Sequence, residues 1–301
     1  MTRALVIGYG SIGRRHARIL EELDCEVAVV SRRAQENIQR FADVAAAVKN
    51  FRPEYVVIAN ETSAHPGTVD ALTAAGFGGK LLIEKPLGGA IARHNFALCA
   101  VAYNLRFHPA LAELALALAD QTILAMQVYC GQHLPDWRPG TDYRMSYSAD
   151  PGRGGGVLRD LSHELDYVLW LGGAWRRATA IGGRFGGLEI ASDDCWALLL
   201  ELERCCCATV QINYLDRPGR RQIVVNTRAH SFAVDFGQAA LVRDGEMQRF
   251  TVDSDDTYRA QHRAMLAGDT SRLCSLAEGE DVMNLIAASE KAAREQAWVR
   301  A

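Results

Sequence analysis

The run VIGYGSIGRRH, residues 6–16, sets Gly8, Gly10 and Gly13 in a G-x-G-x-x-G spacing behind an apolar stretch ending in Val6 and Ile7. Ile12, Ala17, Ile19 and Leu20 follow at helical spacing, so the run reads strand, tight turn, helix. The chemistry such a turn supports is phosphate binding. Gly8 permits the turn, Gly10 lets the backbone approach a pyrophosphate, and Gly13 lets helix and strand pack closely. The phosphates then meet free N–H groups where Ser11 and Ile12 open the helix.

The next strand ends VAVVSRRAQ and puts Ser31 where an acidic residue would take the ribose 2′-hydroxyl of NAD, about 20 residues beyond the glycines. Arg32 and Arg33 follow. An acid repels a 2′-phosphate, whereas a hydroxyl and guanidinium donors suit it, so NADP(H) is favoured over NAD(H).

The elements that must position this turn follow a simple rhythm. Leu5–Ile7, Glu26–Val30, Tyr55–Ala59, Leu81–Ile83 and Ala100–Ala102 read as strands separated by helical segments, which predicts a doubly wound parallel sheet over residues 1–105. Residues 106–301 read differently: a helix over 108–119, a strand over 123–130, a Gly/Pro-rich loop, and a helix over 157–171. Strands are then expected over 177–183, 194–202, 205–214, 222–227, 231–236 and 247–252, and helices over 255–267 and 278–298. Grouped strands predict an α+β domain with a large, mostly antiparallel sheet. Residues 196–202 and 205–212 are apolar at almost every position, so the outer face of that sheet is expected to be covered by another subunit, as in a homodimer or homotetramer.

Composition bounds the function. A net charge of -3 gives no reason to expect nucleic acid, and no apolar run approaches the length of a membrane helix. With the first strand beginning almost at the start methionine, the chain reads as cytoplasmic. Eight cysteines form no C-x-x-C pair and no His spacing for zinc, so buried thiols are expected, with the triplet Cys205–Cys207 inside a strand, and no metal. There are 29 Arg but only four Lys, one of them Lys85 in IEKPL.

IEKPL, YNLRFHP (103–109), DWRPGTDYRMSYSA (136–149) and GRGGGVLRDLSHELDYVLWLGG (152–173) together with the glycine motif resemble the glucose-fructose oxidoreductase, inositol dehydrogenase and rhizopine-catabolism (Gfo/Idh/MocA) family over essentially the whole chain. The longer motifs look like members from bacterial surface-sugar pathways, including those for sialic-acid-like sugars. The resemblance implies an N-terminal Rossmann domain, a C-terminal open sheet, and hydride transfer between a nicotinamide cofactor and a sugar or sugar derivative. By position it makes Lys85 the E-K-P lysine, His163 the family histidine and Asp160 the aspartate before it. Here these two are three residues apart, and on one helix they would share a face. It also brings Asn60, Thr62 and His65 past the cofactor and sets Glu84 and Pro86 at the nicotinamide, with a cis bond expected before Pro86.

The roles agree with elementary chemistry. Hydride loss from a carbinol carbon requires the hydroxyl proton to leave; an unperturbed histidine side chain gains and loses a proton near neutrality, so His163 is of a type that can take it. Lys85 can stabilise the negative charge developing on that oxygen, and Asp160 can orient an imidazole or bind a hydroxyl. On the substrate side the resemblance gathers Tyr103, Asn104, Arg106, Trp137, Arg138, Tyr143 and Arg144, and arginine without lysine suits a carboxylate or phosphate, so acidic and nucleotide-linked sugars are candidates. Two alternatives stand beside the enzyme: a non-catalytic dinucleotide or sugar sensor of the same fold, and a reductase of a non-sugar carbonyl or imine.

Overall fold

The structure, a computed structural model, describes residues 1–32, 38–92 and 95–301. The chain begins β1 (Arg3–Ile7), α1 (Ser11–Glu22), β2 (Glu26–Val30), β3 (Gln39–Phe41), α2 (Val44–Phe51), β4 (Tyr55–Ile58), α3 (His65–Ala74), β5 (Lys80–Ile83) and β6 (Leu98–Val101). It continues with α4 (Pro109–Leu118), β7 (Ile123–Gly131), α5 (Val157–Asp160), α6 (His163–Gly172), β8 (Trp175–Gly183), β9 (Cys195–Leu202), β10 (Ala208–Asn213) and β11 (Arg220–Thr227). β12 (Ser231–Asp235), β13 (Ala240–Arg243), β14 (Glu246–Arg249), α7 (Asp256–Ala267), β15 (Cys274–Ser275), α8 (Leu276–Glu295) and β16 (Val299–Arg300) complete it. Two compact units result: Met1–Phe107 with Asp253–Glu280, and His108–Val252 with Asp281–Ala301.

In the first unit the described strands run in the order β15-β6-β5-β4-β1-β2-β3. β1 pairs in parallel with β2 and β4, and β5 in parallel with β4 and β6. This is the doubly wound sheet the alternation predicts, and β4 is buried at every position, as a strand covered on both faces must be. β6 lies two residues earlier than its apolar run suggests, and β3 is an edge strand too polar to announce itself. Among the described residues β5 reaches β6 without a helix.

The segment Asp253–Glu280 groups with this unit, so a simple division after residue 105 does not describe the chain. The reason lies in α7, whose Ala264 and Met265 pack into one apolar core with Ala4, Val6, Leu20, Tyr55 and Leu82.

In the second unit the described strands run β14-β13-β12-β11-β7-β10-β9-β8-β16. β7 and β10 are parallel and the remaining pairs antiparallel. β9, apolar at all but Glu201, alternates by face: Leu198, Leu200 and Leu202 are buried while Ala197 and Leu199 are exposed. Cys205–Cys207 precede β10 instead of lying within it, Cys205 making an isolated bridge to Ile123. Cys205 is buried but Cys206 and Cys207 are exposed, contrary to the expectation of buried thiols.

Candidate functional site

The glycines of the first turn do separate physical jobs. Gly8 has φ +95°, and a Cβ there would lie 2.6 Å from the Asn60 nitrogen; at Gly13 a Cβ would lie 2.0 Å from the Gly8 carbonyl oxygen. Both positions are closed by the protein's own backbone. At Gly10, the N-cap of α1, nothing among the described residues lies within 4 Å of a Cβ. Among the described residues no side chain caps α1, so its first N–H groups, at Ser11 and Ile12, have no capping side chain. A helix start that is uncapped, open at the middle glycine and tightly packed at the outer two fits the pyrophosphate of a dinucleotide.

At the end of β2, Ser31 is nearly buried and Arg32 exposed; Arg33 lies outside the described residues. Arg40, on β3, donates to the Ser31 carbonyl at 3.1 Å and brings a second guanidinium to this corner.

Three loops leave the carboxyl ends of β1, β4 and β5, which are neighbours in the sheet. After β4, the Asn60 amide donates to Thr68 at 2.8 Å. His65, almost fully buried, sets Nδ1 3.1 Å from the Pro86 carbonyl and Nε2 3.3 Å from the Asn60 carbonyl. Burial lowers the His65 pKa, and a neutral imidazole has one N–H, so it donates to one of these carbonyls at a time. After β5, the Lys85–Pro86 bond is cis, as expected. A Cβ at Gly88 would meet the Thr62 carbonyl at 2.0 Å, so the Glu-Lys-Pro turn presses on the Thr62 loop. Within the first unit, the fold thus gathers Gly8, Asn60, Thr62, His65, Glu84, Lys85 and Pro86 at one edge of one sheet, where ligands bind in open α/β sheets.

Two residues assigned to the substrate serve the fold instead. Arg106 is buried, paired with Glu278 at 2.7 Å and donating to the Leu273 carbonyl; Asn104 donates to Thr257 at 2.7 Å. Tyr103 is buried beside them in sequence.

In the second unit, Asp160 and His163 do not share a continuous helix. Asp160 ends α5, Leu161 leaves helical geometry, and His163 begins α6, so the predicted helix over 157–171 is broken between the two. Gly156 turns the chain into α5 at φ +120°, where a Cβ would lie 2.2 Å from Asp193 Oδ1. Asp193 then accepts the Leu158 N–H at 2.9 Å. Asp160 receives the Tyr214 hydroxyl at 2.6 Å and a hydrogen bond from Tyr147. Trp137 meets the Tyr214 ring edge-on at 5.2 Å, and the Arg138 guanidinium lies 5.8 Å over the Tyr147 ring. Trp137, Arg138 and Asp160 are therefore brought together around two tyrosines that sequence reasoning left out. Tyr147 lies within the 136–149 motif but nothing in that run names its partner, and no local motif marks Tyr214.

His163 is nearly buried at the first position of α6. Its neighbour Glu164 contacts Arg221 of β11 at 2.8 Å and accepts the Tyr167 hydroxyl at 3.1 Å, which pins that end of α6 to the sheet. Tyr143 accepts the Glu189 N–H at 3.3 Å, and Arg144 is engaged by Asp142 and Glu189.

The family comparisons agree with this architecture. Residues 2–102 match the oxidoreductase family with an NAD-binding Rossmann fold, and residues 122–232 match the GFO/IDH/MocA C-terminal domain. Among solved structures, levoglucosan dehydrogenase in complex with NADH and L-sorbose superposes with a TM-score of 0.85 at 16% identity, covering 100% of this chain and 98% of that one. GenD2 from gentamicin A biosynthesis in complex with NAD gives 0.80 at 19% identity, covering 100% and 96%. UDP-N-acetylglucosamine 3-dehydrogenase GnnA from Acidithiobacillus ferrooxidans gives 0.79 at 20%, covering 97% and 98%. A search of curated proteins finds no match. Both halves of one family being matched in order along it, the chain belongs to the Gfo/Idh/MocA family of NAD-binding oxidoreductases.

Proposed function

We propose that this enzyme transfers hydride between a nicotinamide dinucleotide and a carbinol carbon of a sugar or sugar derivative. The observation that carries the reading is the single sheet edge holding both the Gly8–Gly13 turn and the Glu84-Lys85-Pro86 turn. When bound there, the nicotinamide supplies a hydride acceptor or donor. Lys85 hydrogen-bonds the reacting oxygen and stabilises its developing negative charge, and His163 takes its proton during oxidation or returns it during reduction. Asp160, held by Tyr147 and Tyr214, binds a substrate hydroxyl or orients the imidazole.

NADP(H) is our preferred cofactor. Ser31 leaves the end of β2 without a carboxylate, and Arg32 and Arg40 supply cations there. On the substrate side, Arg144 already pairs with a carboxylate, that of Asp142 at 2.8 Å. Arg138 is the arginine we assign to an acidic or nucleotide-linked group, with Trp137 next to it in the chain and Tyr143 lining the same cavity. The exposed face of the second sheet, with Ile181, Leu199 and Val224, supports assembly of identical chains through that face.

The testing experiment is titration of the purified chain with NADPH and NADH by nicotinamide fluorescence, followed by a sugar panel read at the reduced-nicotinamide absorbance band. Tighter NADPH binding and turnover of a sugar support the reading. Binding of neither dinucleotide overturns it, and tighter NADH binding overturns the cofactor preference.

A further inference from the structure

Beneath the turn that carries Lys85 runs a line of buried polar side chains from three elements, α1, β4 and α7, and the turn after β5. Glu84 Oε1 lies 2.8 Å from His16 Nε2, His16 Nδ1 lies 2.8 Å from His262 Nε2, and the Tyr55 hydroxyl lies 2.9 Å from His262 Nδ1. The other Glu84 oxygen, Oε2, accepts the backbone N–H of Lys85 at 3.1 Å. His16, Tyr55 and His262 are wholly buried and Glu84 is 8% exposed.

Hydrogen-bond accounting gives this line a direction. A neutral imidazole has one N–H and one acceptor nitrogen. With Tyr55 donating to His262 Nδ1, His262 Nε2–H to His16 Nδ1, and His16 Nε2–H to Glu84, every facing donor and acceptor is used once. The opposite direction needs a charged His16 and leaves the Tyr55 hydrogen buried without an acceptor among the described residues, at the cost of an unmade bond. Burial holds His262 well below its ordinary pKa and keeps the Tyr55 proton in place. Burial alone would raise the Glu84 pKa, but the contact with His16, backed by Lys85, outweighs it, so Glu84 stays ionised.

We infer that His16, His262 and Tyr55 are positioning residues: an aligned hydrogen-bond line that fixes the Glu84 carboxylate and, through its Oε2, the backbone of Lys85. The line ends at a tyrosine with no access to solvent, so it holds a geometry and does not conduct protons to water. It makes α7, from the far end of the chain, part of the machinery that places Lys85. The inference rests on the role proposed for Lys85.

Histidine-selective ¹⁵N NMR of the full chain, over roughly pH 6 to 8, tests the line directly. Both His16 and His262 are expected as Nε2–H tautomers with a hydrogen-bonded, unprotonated Nδ1; an imidazolium or an Nδ1–H tautomer at either one overturns it. Hydrogen exchange at the Lys85 amide tests the positioning. His16→Ala is expected to speed it about tenfold, as loss of one hydrogen bond would, and His16→Gln, which keeps a donor toward Glu84, to restore it. Unchanged exchange in folded His16→Ala overturns the role. Should that variant not fold, Tyr55→Phe serves: the His262 Nδ1 resonance must move toward that of a free nitrogen, and an unmoved resonance overturns the line. None of these readouts uses turnover, so they are separable from a failure of the Lys85 assignment, which full turnover by Lys85→Ala would reveal.

Discussion

The Tyr214 hydroxyl donates to Asp160 Oδ2 at 2.6 Å, joining the end of α5 to the loop beyond β10 across 54 residues of sequence. A buried carboxylate needs such donors, and Tyr147 provides a second. Removing one leaves an acceptor unpaired in a dry site. Tyr214→Phe is expected to lower unfolding stability by about 1–3 kcal/mol, read from the denaturant midpoint, and to weaken sugar binding more than dinucleotide binding. An unchanged midpoint would show that the bond contributes nothing.

The glycines of the first turn should separate folding from binding. At Gly10 the protein leaves room for a Cβ, so Gly10→Ala is expected to unfold at or slightly above the native temperature. Its dinucleotide affinity should nevertheless fall by about tenfold or more, because the added methyl stands where the pyrophosphate approaches. Gly13→Ala would drive a Cβ against the Gly8 carbonyl and should lose stability as well. Thermal melts with and without NADPH distinguish the two; equal behaviour would count against the assignment.

Lys85→Ala and His163→Ala address the chemical step. Each is expected to reduce kcat by roughly 10²- to 10⁴-fold on whichever substrate the sugar panel yields, with NADPH affinity nearly unchanged. Retained turnover in either variant removes that residue from the mechanism. The sensor alternative is favoured instead if the native chain binds dinucleotide but turns over no sugar of the panel.

Acid sensitivity follows from buried neutral histidines. Burial, assisted by the Arg221 charge, lowers His108 to about 4, and burial also lowers His65 and His262. In the unfolded chain each titrates near 6.5. Between those values the unfolded state binds more protons, so stability rises with pH there. The contribution is complete above about pH 6.5 and is lost as pH falls toward 4, with His108 alone accounting for about 3 kcal/mol. Urea midpoints at pH 5 and pH 7.5 should therefore differ, the lower pH being weaker; equal midpoints would contradict the burial argument.

What could be read from sequence is what depends on neighbours along the chain. The Gly8–Gly13 turn, the run of apolar residues in β4 and the Glu84-Lys85-Pro86 motif each declare themselves within a few residues, because backbone conformation and strand burial are local demands. His16 sits three residues past Gly13 in the same motif, yet nothing nearby says that its partners are Glu84 and His262. Side-chain type is legible; the partner is not. Arg106 looked like a substrate ligand because an arginine suits an anion, but packing gave it Glu278. Asp160 and His163 looked like one helical face, but the chain breaks between them and Asp160 turns to Tyr147 and Tyr214. Those pairings join residues far apart in sequence, and only tertiary packing, by removing water from the groups it brings together, decides which charge or hydroxyl must satisfy which.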